Sequence, residues 1–376
     1  MDLKQAITPA LLLDLSILKH NLREMAGKAL RHDVALRPHI KTHKCPEIAQ
    51  MQLDLGSKGI TVATLVEAKM FAEAGIEDIT HAFPLDPGKI PVALDLAEQT
   101  ELRVTVDDLS VAAALEEAAG NRGQTVHAWL KVDCGYHRAG VDSESDYAMQ
   151  LSRIMHEAAH IEFDGLLAHA GHVYWVRSME ELIGVANQER DTMIAFRERL
   201  AEEGIGPVLI SIGSTPTMSI IDNLEGVDEI RPGNYAFHDW TQVCLGSCAL
   251  EDCAVTVLAT VVSRQPGSKH AVIDAGALTL SHDPGPTQID RDGGRGRVLE
   301  AERMMSVHPA LRVTAVSQEH GIIQGNKPED LEGMEVGTTV RILPNHSCLA
   351  AAMFDEYLVV EGQEVVDRWR IQRARS

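Results

Sequence analysis

Two short segments near opposite ends of the chain carry residue types that could do chemistry. Arg37-Pro-His-Ile-Lys-Thr-His-Lys44 follows a strand-like run and offers Lys41 at its end. Alternation along that run would put Arg37, His39 and Lys41 on one face. A lysine desolvated there gives up its proton more readily, which an amine must do to form an imine with an aldehyde cofactor. Lys44 competes for the role, and His39, His43 and Cys45 could instead be grouped as a metal cluster. Pro344-Asn-His-Ser-Cys348 supplies an imidazole and a thiol two residues apart, the spacing that shares one face of a strand. Soft N and S donors suit zinc better than magnesium or calcium, and two protein ligands leave positions open for water or substrate. Two further segments, Ser211-Ile-Gly-Ser-Thr-Pro-Thr217 and Arg231-Pro-Gly-Asn-Tyr235, place glycines and hydroxyls where a turn meets a helix. Such turns bind phosphate through backbone N–H groups.

The elements that must position these residues follow from periodicity. Strand-like runs at Val34–Ile40, Gly59–Thr64, Asp78–Pro84, Leu102–Asp107, Val126–Asp133, Ile161–His169, Val208–Ile212 and Asp228–Arg231 alternate with segments of helical spacing. Gly56, Gly75 and Gly204 sit where helix caps are expected. Eight β/α alternations predict a (β/α)8 TIM barrel, with an open doubly wound sheet as the alternative. Lys41 then falls after the first barrel strand, and the two glycine turns after the seventh and eighth. Beyond residue 250 short β runs separated by Gly and Pro replace the helices: Ala254–Val262, Ala271–Ile273, Leu311–Val316, Thr338–Leu343 and Tyr357–Val360. The expected organisation is a barrel over residues 1–248, whose first dozen residues could pack with the β domain, and a smaller, mostly β domain over 249–376. Ser281–Met305, rich in Gly and charge, is expected to be a surface loop.

Composition narrows the classes. The 376 residues are 45% hydrophobic, 24% charged and 4% aromatic, which predicts a soluble protein with an aliphatic core. A net charge of −21 excludes nucleic acid and anionic membrane as partners. A small anionic ligand requires local Lys and Arg to override that field. No signal peptide or apolar membrane span is evident, so a cytoplasmic location is expected. The six cysteines are scattered, which favours free thiols or ligands over disulfides, and Cys244, Cys248 and Cys253 are expected to be structural.

The ordered segments resemble the pyridoxal-phosphate enzymes of the alanine racemase-like class, and in particular its metal-dependent D-serine dehydratase, D-threo-3-hydroxyaspartate dehydratase and D-threonine aldolase branch. The resemblance spans nearly the whole chain. It includes Thr8–Asp14, Arg37–Lys44, Lys131-Val-Asp-Cys-Gly-Tyr-His-Arg-Ala-Gly140, His169-Ala-Gly-His-Val-Tyr174, Gly213–Pro216, Arg231–Tyr235, Ile273–Gly276, Gln318–Gly321 and Pro344–Cys348. It implies that Lys41 binds pyridoxal 5'-phosphate and that Arg138 lies near the cofactor's phenolic oxygen. It implies that Gly213, Ser214, Thr215, Gly233 and Asn234 hold the phosphate, and that Arg231 faces the pyridine nitrogen, which disfavours its protonation. His172 and Tyr174 would lie in the substrate pocket, and His346 and Cys348 would bind a divalent metal, zinc by preference with manganese or cobalt as alternatives. The segments of Asp274 and His320 match without an assigned role.

The resemblance implies a homodimeric lyase acting on a small D-3-hydroxyamino acid. Loss of the β-hydroxyl would give a 2-oxo acid and ammonia; retro-aldol cleavage would give glycine and an aldehyde. Family aldolases tend to carry His-x-Asp at the metal and Gly-Gly-Gly-Thr-Gly at the phosphate. His346-Ser-Cys348 and Gly213-Ser-Thr-Pro216 therefore favour the dehydratase. A non-catalytic pyridoxal-phosphate carrier is the further alternative, disfavoured by the presence of residues 250–376.

Overall fold

The structure, a computed structural model, describes residues 3–300 and 306–373. The chain divides into two units, one of Met25–Val173 with Glu180–Gly233, the other of Met1–Glu24, Tyr174–Met179 and Asn234–Arg373.

In the first unit the parallel strands are β2 (Ala35–Leu36), β3 (Ile60–Val62), β4 (Asp78–Pro84), β5 (Glu101–Val106), β6 (Val126–Asp133), β8 (Ile161–Leu167), β9 (Leu209–Ile212) and β10 (Glu229–Ile230), with the two-residue β7 (Val141–Asp142) beside β6. They pair in the order β2-β10-β9-β8-β6-β5-β4-β3. A parallel bridge between His39 and Thr61, with Thr61 N–H donating to Pro38 O at 2.8 Å, joins β2 to β3 and closes the barrel. Val104, Ala128, Leu130, Leu166, Ile210 and Ile230 are fully buried, as parallel strands covered on both faces require. The barrel also encloses charge. Arg37, 2% exposed, pairs through Nε with Glu229 at 2.6 Å and through its other nitrogens with Asp78. Arg103 continues the chain to Asp78 and, at 3.2 Å, to Asp164.

Helices fill the crossovers. Asp108 caps Leu109–Arg122 by accepting the N–H groups of Ser110 and Val111. Gly165 marks the tightest backbone approach: at φ +151° an added Cβ would collide with the main chain of Leu209 in the next strand.

The second unit is built on antiparallel pairing. Strands β11 (Val255–Arg264), β12 (His270–Ile273), β13 (Gly296–Leu299), β14 (Val307–Val316), β15 (Gly321–Gln324) and β16 (Thr339–Pro344) form the ring β12-β15-β14-β13-β16-β11, closed by pairing of β11 with β12. β1 (Ala10–Asp14) runs antiparallel to β11 and parallel to β17 (Glu356–Glu361), which pairs with β18 (Glu364–Arg370). Asp274 has a structural place here: its carboxylate accepts Thr8 Oγ1–H at 2.5 Å and Thr260 N–H at 2.7 Å, tying the start of the chain to the ring. His320 lies exposed in the β14–β15 turn.

The segment expected to be a loop, Ser281–Met305, contains strand β13, with Val298 fully buried, so only part of it is loop. A four-residue run with Gly and Arg carries too little alternation to show as a strand; its pairing with β14 and β16 fixes it. Residues 301–305 lie outside the described residues.

Candidate active site

Each group of candidate residues is built within its own unit. At the C-terminal ends of the barrel strands, β2 stops at Leu36 and the chain turns into one 3-10 turn, Ile40–Thr42. Lys41 therefore rides on a turn and is exposed, whereas the expected shared strand face with Arg37 does not exist, because Arg37 is drawn into the interior ion pairs. His39 Nδ1 accepts the Lys41 N–H at 3.4 Å and caps the turn. Gly233 presses against it: a Cβ there would sit 2.5 Å from His39 O and 3.1 Å from Thr42 Oγ1. Lys44 is withdrawn from competition by its 3.0 Å ion pair with the buried Glu67. The alternative metal cluster does not assemble either. His43 Nδ1 accepts the Cys45 N–H at 3.1 Å, the Cys45 thiol donates to Glu47, and no group of three metal-ligating side chains occurs among the described residues.

The same end of the barrel gathers cations. Arg231 is buried; its Nε donates to Ser211 Oγ at 2.7 Å, and a terminal nitrogen donates to Ala168 O. Ser211 Oγ in turn donates to Glu229 at 2.6 Å. Arg138 is exposed and lies over the Tyr136 ring, 4.7 Å from its centroid, a cation–π contact that orients it. Tyr136 also meets the rings of His169 and His172 at 6.3 Å. Burial, with the charges of Lys41, Lys131, Arg138 and Arg231, holds His169 well below the usual histidine range. Burial together with Lys41, Arg231 and His169 does the same to His39. Both shifts favour the neutral imidazole. Burial, reinforced by Arg231 and Arg138, lowers the Lys131 amine to about 7. A cation-rich mouth on a chain of net charge −21 is the local override that an anionic ligand requires.

The turn after β9 is tied down from beneath. Glu189, fully buried on the helix Met179–Glu202, accepts Ala170 N–H at 2.9 Å and Gly213 N–H at 3.3 Å. The Ser214 hydroxyl caps the helix Thr215–Ile220 through Thr217. Gly213, at φ +109°, has no room for a side chain, since a Cβ would meet Met218 at 2.8 Å. His172 and Tyr174 lie on the 3-10 turn Gly171–Trp175. His172 Nδ1 is buried without a hydrogen-bond partner among the described residues.

In the second unit, Tyr174 OH accepts from Gln242 at 3.4 Å and its carbonyl from Gln288 at 2.9 Å. β16 ends at Pro344, and Ser347–Ala351 form a short helix with His346 as its N-cap. The expected strand face for His346 and Cys348 is therefore a helix start. The two side chains nevertheless come within hydrogen-bonding reach of each other. The converging imidazole and thiol are a two-donor N/S pair of the kind that suits a transition-metal ion, and Asp283 Oδ2 lies 3.2 Å from His346 Nδ1 behind it. The Asn234 side chain is turned into this frame, donating to Asp239 and Ser347 at 2.9 Å and to Cys348 Sγ at 3.4 Å. All six cysteines are free thiols, and Cys253 packs with Leu299 and Leu343.

Lys131, Tyr136, His169, Glu189 and Asp283 belong to these groups, but sequence reasoning gave none of them a role. Lys131 and Tyr136 precede Arg138 in one matched segment, a signal that could have been used. Glu189 and Asp283 carry no such mark, since a carboxylate on a helix or in a Gly-rich loop is ordinarily solvated.

The barrel with its cation-rich mouth and the β unit with its N/S donor pair define an alanine racemase-like two-part fold. Comparison with known proteins agrees. The alanine racemase N-terminal domain matches residues 13–239 and the putative serine dehydratase domain residues 254–360. The chain belongs to the family that joins these two domains. It is 34% identical to the D-threo-3-hydroxyaspartate dehydratase of Delftia sp. strain HT23, with 96% of each chain covered. It is 35% identical to the D-serine dehydratase of Dictyostelium discoideum (97% and 96% covered) and 32% identical to the D-threonine aldolase of an Arthrobacter species (97% and 92%). The solved structure of the Delftia enzyme superposes with a TM-score of 0.94 at 33% identity over 99% of each chain. Alanine racemase from Clostridium difficile shares the fold, with a TM-score of 0.69 at 15% identity over 96% of this chain and 98% of its own.

Proposed function

We propose that the protein is a pyridoxal-phosphate- and metal-dependent lyase that converts a D-3-hydroxyamino acid into a 2-oxo acid and ammonia. The observation that carries this reading is Lys41, exposed on the turn after β2 and grouped with Lys131, Arg138 and Arg231 about His169, in a chain that also pairs His346 with Cys348. When bound, the cofactor would stabilise charge at the substrate's α carbon, and the metal would polarise the β-hydroxyl as a Lewis acid. Lys41 would hold the cofactor and carry the α-proton. Arg231, fixed by Ser211 and Ala168, would keep a positive charge facing the pyridine nitrogen. Arg138 would meet the phenolic oxygen, and the backbone of Gly213, Ser214, Thr215, Gly233 and Asn234 would take the phosphate. His172 and Tyr174 would contact substrate.

The dehydratases, at 34% and 35% identity, are more similar to this chain than the aldolase at 32%, which favours dehydration. Cys348 in the metal pair favours dehydration; cleavage to glycine and an aldehyde is the second reading. Zinc, a cytoplasmic location and a homodimer belong to the same proposal, supported by the N/S donor pair and by the family resemblance. The test incubates purified protein with D-serine, D-threonine and D-threo-3-hydroxyaspartate and measures products. Ammonia and a 2-oxo acid are expected, abolished by EDTA; glycine and aldehyde would transfer the assignment to the aldolases. Lys41→Ala protein should lose the yellow colour of the lysine-bound cofactor.

A further inference from the structure

The His346/Cys348 pair is framed by side chains that hold it in place. His346 Nδ1 lies 3.2 Å from Asp283 Oδ2. That aspartate is fixed twice over. Its Oδ1 accepts Gly285 N–H at 2.7 Å, and its main-chain carbonyl accepts Asn345 Nδ2 at 3.0 Å. The same Asn345 amide also reaches Gly294 O at 3.0 Å, so the loop bearing Asp283 is clamped to the residue just before His346. On the sulfur side, Asn234 Nδ2 faces Asp239, Ser347 and Cys348 Sγ. Asp239 fixes which end of that amide points there, because its carboxylate can only accept. Asp239 also accepts Ser347 N–H at 2.9 Å, anchoring the helix turn that carries Cys348. Asn234 is 6% exposed, and its Oδ1 is buried without a partner among the described residues, so its amide is not arranged for fold stability alone.

We propose that Asp283 and Asn234 are positioning residues of the metal centre: Asp283 orients His346, and Asn234 steadies Cys348. A carboxylate accepting from Nδ1–H fixes the imidazole tautomer and leaves the Nε2 lone pair for the ion. An amide donor spreads the charge of a thiolate and limits its rotation. This rests on the metal-binding reading above, and the experiment separates the two.

The test is competition for zinc between metal-stripped protein and a chromophoric chelator at fixed pH. Asp283→Ala should bind zinc about 10–100-fold more weakly than the parent. Asp283→Asn, whose amide oxygen still accepts from Nδ1–H but carries no charge, should fall between them, and it serves if the alanine variant folds poorly. Asn234→Ala should also weaken binding, while Glu335→Gln at an exposed site should not. In cobalt-loaded protein the thiolate-to-metal absorption should survive Asp283→Ala and vanish in Cys348→Ala. Affinity of Asp283→Ala within twofold of the parent would overturn the proposal. So would a loss as complete as in His346→Ala, which would make Asp283 a ligand itself. A parent protein that binds neither zinc nor cobalt would instead remove the metal reading, and this inference with it.

Discussion

Lys41 and Lys44 are three positions apart, yet one is exposed on a turn and the other is locked to Glu67. The backbone differs too: Lys44 adopts a left-handed φ of 47° beyond the end of the turn that carries Lys41. Lys131 shows a second residue-scale effect, since burial beside Arg231 and Arg138 lowers its amine from 10.5 to about 7. The unfolded chain binds that proton up to about pH 10.5, the folded one only up to about 7. Lys131 therefore adds stability as pH rises through this window and loses it as pH falls back, with no further slope below about 7. Urea unfolding of the parent between pH 7 and 10 should show a gain of up to about 1.4 kcal/mol per pH unit relative to Lys131→Met. Equal pH profiles would mean that Lys131 keeps its charge in the folded protein.

At the scale of elements, the site depends on how strand ends are tied to one another. Glu189 lies on a helix, yet it reaches the loops after β8 and β9 through Ala170 and Gly213. Burial raises its carboxyl, while these two N–H groups, Arg231 and Lys131 pull it back. Glu189→Ala leaves the Ala170 and Gly213 N–H groups without this acceptor and removes one counter-charge of Arg231 and Lys131. We expect a stability loss of about 3–5 kcal/mol, measured by urea unfolding, with weaker retention of pyridoxal phosphate in dialysis. Glu189→Gln keeps one acceptor and should recover part of the stability. The Lys41 turn depends in the same way on Gly233, whose missing side chain lets the segment after β10 pack against His39.

At the scale of the whole molecule, eight strand–helix alternations predicted the barrel, and each expected run holds a strand, although the first shrinks from Val34–Ile40 to Ala35–Leu36. Alternation did not reveal closure, which hangs on the bridge between His39 and Thr61. The β unit was legible as a change of texture after residue 250. Its ring was not, because β13 and β15 are four residues each and gain their meaning from partners. The insertion of β1 between β11 and β17 joins segments far apart in sequence, where no local signal operates.

By itself, the sequence determined the fold class, the family, and the residues whose chemistry is in question: Lys41, Arg138, Arg231, His346 and Cys348. Those are properties of order and residue type, which a linear string holds. Tertiary structure alone decided which charges are compensated, and so which groups titrate. It buried Lys131 among arginines, gave Lys44 to Glu67, and set Asp283 against His346. The physical reason is that desolvation and Coulomb energy depend on distance in space, and residues separated by a few dozen or a few hundred positions meet only when the chain has folded.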